Sequence, residues 1–108
     1  MPFNWTININ PNPSKSRPAS FDPPVLGPPA QEVEPGDQIY WANNDTRAHW
    51  PGLQAPDGSI NKSYFMPNQI APNSQSSTFA VGSSGTLNYA CSLHPGETGT
   101  IQIVDAGI

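Results

Sequence analysis

An all-β, two-sheet sandwich is the fold this sequence predicts, and three observations predict it. Fourteen prolines and nine glycines in 108 residues exceed what a helical domain tolerates, because proline lacks the amide N–H and collides with the preceding turn of a helix. Apolar residues recur with period two in several short stretches, and nowhere with the period of a long helix. Turn residues punctuate those stretches at short intervals, as they do in sandwiches.

Each element can be read in order. Phe3, Trp5, Ile7 and Ile9 alternate with Asn4, Thr6, Asn8 and Asn10, the pattern of a first strand with one buried face. From Pro11 to Pro29 the chain is too rich in proline for ladder pairing over most of its length, and an extended connection with at most one short edge strand is expected. Pro35-Gly36 marks a turn between a short strand around Glu32–Glu34 and a longer one carrying Ile39 and Trp41 on one face. The stretch from Asn43 to Gln75 is dominated by Asn, Pro, Gly and Ser and reads as loop, with room for a short strand or one helical turn near Tyr64. Strands follow over 76–81, 86–91 and 98–104, the last two marked by Leu87, Tyr89, Cys91, Ile101 and Ile103.

The apolar share is 35%, yet three Trp, three Tyr and four Phe can fill one core, so residues 1–108 are expected to form a single domain. The formal charge of −4 and the scattered Lys15, Arg17, Arg47 and Lys62 give no basic stripe, which argues against a nucleic-acid partner. No run approaches the ~20 apolar residues of a membrane span, and no basic-then-apolar leader begins the chain. One cysteine excludes an internal disulfide framework and leaves a thiol to explain.

That thiol, Cys91, ends a strand and opens the turn Cys91-Ser92-Leu93-His94-Pro95-Gly96-Glu97. His94 and Glu97 follow at successive intervals of three, so a tight loop can aim all three side chains at one point. The remaining histidine, His49, follows the strand that runs through Trp41 to Asp45, and in a sandwich that strand end can lie beside the end carrying Cys91. Two imidazoles and a thiolate with a weaker axial group is the donor set of copper electron-transfer sites, and with a carboxylate it also makes a tetrahedral zinc site. Asp45 is read as turn chemistry in an Asn-Asp-Thr run rather than as a competing ligand. Trp5, Trp41, Phe79 and Tyr89 are read as core residues with no electron-relay role.

From Gln31 to Val104 the sequence resembles the cupredoxins, the small type 1 blue copper proteins that include plastocyanin and amicyanin. The resemblance lies in EVEPGDQIYWANND leading to His49, and in YACSLHPGETGTIQIV with its Cys-x-x-His-Pro-Gly core. It implies a Greek-key sandwich of about eight strands holding one copper ion that cycles between Cu(II) and Cu(I). By position, His49 would be the first imidazole ligand, Cys91 the thiolate, and His94 an imidazole whose edge reaches solvent. Glu97 falls where these proteins usually carry an axial Met, and Trp50 replaces a small polar residue, its backbone N–H still able to donate to the Cys91 sulfur.

The function implied is the transfer of single electrons, without catalysis, between redox proteins that dock transiently near His94 on a patch including Leu93, Pro95 and Trp50. A monomer is expected, in the periplasm or secreted, with a signal peptide already removed. Two other readings stand beside it. One is a copper enzyme or a binder of small molecules such as nitric oxide, with a red-copper-like, carboxylate-ligated site; the other is a non-redox zinc or copper module.

Overall fold

The computed structural model describes residues 3–11, 19–94 and 96–104. Within them run nine strands: β1 (Asn4–Asn10), β2 (Ser20–Asp22), β3 (Val25–Leu26), β4 (Gln38–Asn43), β5 (Pro51–Gln54), β6 (Ile60–Asn61), β7 (Phe79–Ala80), β8 (Gly85–Cys91) and β9 (Thr98–Ile103). They form two sheets, one in the order β2-β1-β4-β7 and the other β3-β9-β8-β5-β6. The described residues include no helix. The expected all-β, two-sheet sandwich is therefore what the chain adopts, with nine strands where about eight were expected.

The long alternating stretches became the inner strands because each has one apolar face to bury. β1 and β4 run parallel, with Ile7 opposite Trp41, and β8 and β9 run antiparallel, with Tyr89 opposite Gly99. Between the sheets, the Trp41 and Tyr89 rings meet edge to face at 5.4 Å, Phe21 meets Tyr89 at 4.8 Å, and Phe65 lies 5.0 Å from Trp41. These rings, with Ile7, Ile9, Leu26, Val33, Ile39 and Ile101, form one continuous core. The Tyr89 ring occupies the space a Cβ on Gly99 would need, so glycine at that inward position makes room for the aromatic.

Four short segments depart from expectation, the first being the strand expected over 76–81, of which only β7 (Phe79–Ala80) forms. The proline-rich connection holds two strands rather than one; β2 lies at the edge of the first sheet and β3 at the edge of the second, where missing amide donors are tolerated. Residues 12–18 of that connection lie outside the described residues. The strand expected around Glu32–Glu34 is reduced to a single bridge between Val33 and Ile103. The segment expected to be loop contributes β5 and β6; β5 contains Pro51 and Gly52 and takes its register from β8, Pro51 opposite Cys91.

At one end of the first sheet Asp37 closes the structure. Its carboxylate accepts hydrogen bonds from Phe3 N (3.1 Å), Trp5 Nε1 (2.9 Å) and Glu34 N (3.0 Å). Burial alone would raise its pKa, but these three bonds outweigh it and leave the carboxyl below the usual value of 3.8. A lowered folded-state value means the contribution is present above the unfolded pKa and is lost as the pH falls through the folded one. Asp37→Asn is expected to cost about 2 kcal/mol near neutrality. The gap between wild type and variant in denaturant midpoints should close below about pH 4; an equal gap at neutral and acidic pH would contradict this role.

Candidate metal centre

The loop between β8 and β9 is built from nested turns. His94 N donates to Cys91 O (3.3 Å), Glu97 N to His94 O (3.2 Å), and Cys91 N to Glu97 O (2.9 Å). Gly96 takes φ +104°, a left-handed conformation that glycine adopts without strain. Intervals of three residues in this winding put Cys91, His94 and Glu97 on one side of the loop; Pro95 lies outside the described residues.

The second half of the site is held to the first by backbone. Trp50 N donates to Cys91 Sγ at 3.4 Å, as expected, while Trp50 O accepts from Ser92 N (2.8 Å) and Ser92 Oγ (2.7 Å). His49 is bridged to Ile70 by a reciprocal pair of backbone bonds, 3.1 and 2.7 Å. Asn43, 1% exposed at the end of β4, gathers this region. Its Nδ2 faces the carbonyls of Arg47 (2.9 Å), Ile70 (3.2 Å) and Ala71 (3.2 Å), and its Oδ1 accepts from Asp45 N (2.9 Å).

The outcome is a compact cluster. One donor atom each from His49, Cys91, His94 and Glu97 lies within 4.8 Å of the other three. Cys91 Sγ stands 3.6 Å from His49 Nδ1 and 3.5 Å from His94 Nδ1, and Glu97 Oε1 stands 3.0 Å and 3.5 Å from the same two nitrogens. An ion held ~2.0–2.3 Å from nitrogen and sulfur would see such N···S separations at roughly 110°, an ordinary coordination angle. All four residues named from the sequence thus come together. His49, Cys91 and Glu97 are buried, and the His94 side chain alone is partly open, at 28% exposure.

Asp45 does more than its turn chemistry. Oδ1 accepts from Thr46 N at 2.7 Å, as an Asn-Asp-Thr turn requires, while Oδ2 lies 2.8 Å from His49 Nε2. With its proton on Nε2 and given to Asp45, His49 presents the Nδ1 lone pair to the cluster. Burial of the His49 ring pulls its pKa down, but the contacts with Cys91 and Asp45 and the nearby Glu97 charge outweigh burial and raise it above 6.5. Asp45 is also buried, which acts to raise its pKa; bonds from His49 and Thr46 and the Arg47 charge lower it overall.

Glu97 Oε1 is buried without a hydrogen bond. A buried oxygen lone pair facing an imidazole lone pair and a sulfur is costly unless a cation lies among them. The donor set therefore fits a metal ion on the chain's own chemistry. Sequence reasoning did not assign the Asp45–His49 contact, the Arg47 contacts or the Ala19 amide that donates to Glu97 Oε2 at 2.9 Å. Only the first left a trace, a carboxylate four residues before the histidine.

No protein-family model and no curated protein sequence matches this chain. Its structure is similar to the purple cupredoxin from Nitrosopumilus maritimus, with a TM-score of 0.73 and 21% identity over 92% of this chain and 98% of that one. It is also similar to amicyanin from Paracoccus versutus, with a TM-score of 0.67 and 14% identity over 94% of this chain and 81% of that one. A Cu(I) form of a variant amicyanin matches at a TM-score of 0.66 and 17% identity, over 94% and 82% of the two chains. Sheet order, strand pairing and these similarities agree: this chain has the cupredoxin fold.

Proposed function

We propose that this chain, as a single domain, is a mononuclear copper protein that carries single electrons between redox proteins. The observation that carries the reading is the convergence of His49 Nδ1, Cys91 Sγ, His94 Nδ1 and Glu97 Oε1. A soft thiolate and two imidazoles are the donors that suit copper in both of its common oxidation states. When bound, copper would supply a one-electron couple.

The residues set the terms of transfer. Trp50 N–H donating to Cys91 Sγ withdraws electron density from the sulfur. Asp45 fixes the ring orientation of His49, and the nested turns fix His94, so the donors stand in place before any electron arrives. His94 is the one member of the cluster with an edge toward solvent, and Leu93 beside it is 42% exposed. An exposed apolar side chain beside the His94 edge suits brief encounters with a partner rather than a stable complex. Among the described residues no helix is long and apolar enough to cross a membrane. The reading includes a monomer that works outside the cytosol, where cells handle free copper.

Kinetics test the proposal. The copper-loaded, reduced protein should exchange electrons rapidly with a soluble redox protein while staying inert toward nitric oxide, superoxide and peroxide. Fast reaction with those small molecules and slow exchange with proteins would replace electron transfer with the enzyme or sensor reading.

Acid should also weaken the site. A proton competes with the metal for His49, and the raised His49 value moves that competition above pH 6.5. In the metal-free fold the same shift has the opposite sense: its stabilisation is complete below the unfolded value and is lost as pH rises through the folded one. Copper affinity should fall by at least about tenfold per pH unit below the His49 pKa, since binding as a thiolate also displaces the Cys91 proton, measured by competition with a chelator of known pH dependence. A flat affinity between pH 7 and pH 5 would contradict His49 as a ligand.

A further inference from the structure

Glu97 has two oxygens in unlike surroundings. Oε1 faces the two imidazole Nδ1 atoms and makes no hydrogen bond. Oε2 points the other way, accepting from Ala19 N at 2.9 Å and lying 3.6 Å from an Arg47 guanidinium nitrogen. The same guanidinium reaches Asp45 Oδ2 through Nε at 3.2 Å, and that oxygen is the one 2.8 Å from His49 Nε2. Arg47 therefore spans the carboxylate behind one imidazole and the carboxylate inside the cluster.

The pairing is not an ordinary surface ion pair. The Arg47 side chain is 44% exposed, but the Asp45 and Glu97 side chains are 4% and 1% exposed. Two buried carboxylates beside a cysteine would repel one another, and the charge between them is poorly screened. Among the described residues the other basic side chain is Lys62, which lies over the Trp50 ring, 5.0 Å from its centroid. Among the described residues Arg47 is the base that faces both acids, and its planar fork can serve two acceptors at once.

We propose that Arg47 is a positioning residue of the metal centre: by bridging Asp45 and Glu97 it holds Glu97, together with the Ala19 amide, so that Oε1 alone faces Cys91 and the two imidazoles. This rests on the copper reading for its consequence, a fixed single-oxygen fourth donor, and on the chain alone for the clamp. Without Arg47 the carboxylate is free to turn and is a stronger donor. The lost positive charge acts in the same direction, toward Cu(II).

Arg47→Met, Arg47→Lys, Glu97→Gln and the double variant Arg47→Met/Glu97→Gln separate these effects. In copper-loaded protein Arg47→Met should raise the preference for Cu(II) about tenfold, a fall of about 59 mV in potential, and alter the paramagnetic resonance spectrum. Arg47→Lys should restore less than half of that shift, because an ammonium cannot span both acceptors. Placed on Glu97→Gln, the Arg47→Met change should lose most of its effect. Full rescue by lysine, or an undiminished effect in the double variant, would overturn positioning in favour of simple charge.

Hydrogen exchange at the Ala19 amide, read by NMR on metal-free protein, tests the clamp without copper. Exchange at Ala19 should quicken about tenfold more in Arg47→Met than exchange at the core amides of β8, which report any global loss of stability from leaving two buried carboxylates uncompensated; exchange at Ala19 that changes no more than at those amides would overturn the clamp. If wild type took up copper without thiolate-to-copper absorption, the copper reading would fall, and Ala19 exchange would still decide whether Arg47 holds Glu97.

Discussion

Cys91→Ser is expected to abolish the visible absorption of the copper-loaded protein and to weaken copper binding by more than about a hundredfold. The thiolate is the one soft anionic donor of the cluster, 3.6 and 3.5 Å from the two imidazole nitrogens. A serine hydroxyl does not ionise near neutral pH and offers no sulfur-to-metal charge transfer. The exchange is nearly isosteric at a buried position, and the hydroxyl can still accept from Trp50 N, so the fold should survive. Visible spectroscopy and titration calorimetry on the folded variant read the effect. A variant that kept both colour and affinity would remove Cys91 from the ligand set.

Glu97→Met is expected to raise the reduction potential by roughly 120 mV, equivalent to a hundredfold loss of Cu(II) preference in a one-electron couple. A carboxylate is hard and anionic and favours Cu(II); a thioether is soft and neutral and tolerates Cu(I). The spectrum should move toward that of an ordinary blue copper protein. The substitution also removes the acceptor of the buried Ala19 amide, which should cost about 1–3 kcal/mol of stability. Glu97→Gln separates the two effects, since an amide oxygen can keep the Ala19 bond while the negative charge is gone. Cyclic voltammetry on the three proteins checks this; a potential unchanged in Glu97→Met would mean that Oε1 does not reach the metal.

How much of this could be read from the chain depended on whether the determining contacts were local. β1, β4, β8 and β9 were legible because each runs six or seven residues with apolar side chains at alternate positions, Leu87, Tyr89 and Cys91 in β8, enough to mark a buried face. β5, with Pro51 and Gly52, carries no such pattern, and only pairing with β8 on one side and β6 on the other makes it a strand. β2 and β3 were hidden by neighbouring prolines, which edge positions tolerate.

The same division runs through the metal centre. Cys91, His94 and Glu97 share one loop, and their spacing alone brings them to one side of it. His49 lies far off in sequence and was reachable only through the strand before it and the resemblance to cupredoxins. Asp45 and Arg47 occupy what looked like turn chemistry; their contacts with His49 and Glu97 exist only after Asn43 has folded the 43–49 loop against Ile70 and Ala71. The Ala19 amide left no signal, since a backbone N–H has no identity in a sequence.

The most direct test of the central claim is the combined visible and electron paramagnetic resonance spectrum of the protein loaded with one equivalent of Cu(II). An intense thiolate-to-copper absorption and a mononuclear copper signal perturbed by an oxygen donor are expected, both lost in Cys91→Ser. A colourless protein that retains a full equivalent of zinc and takes up no copper would contradict the claim.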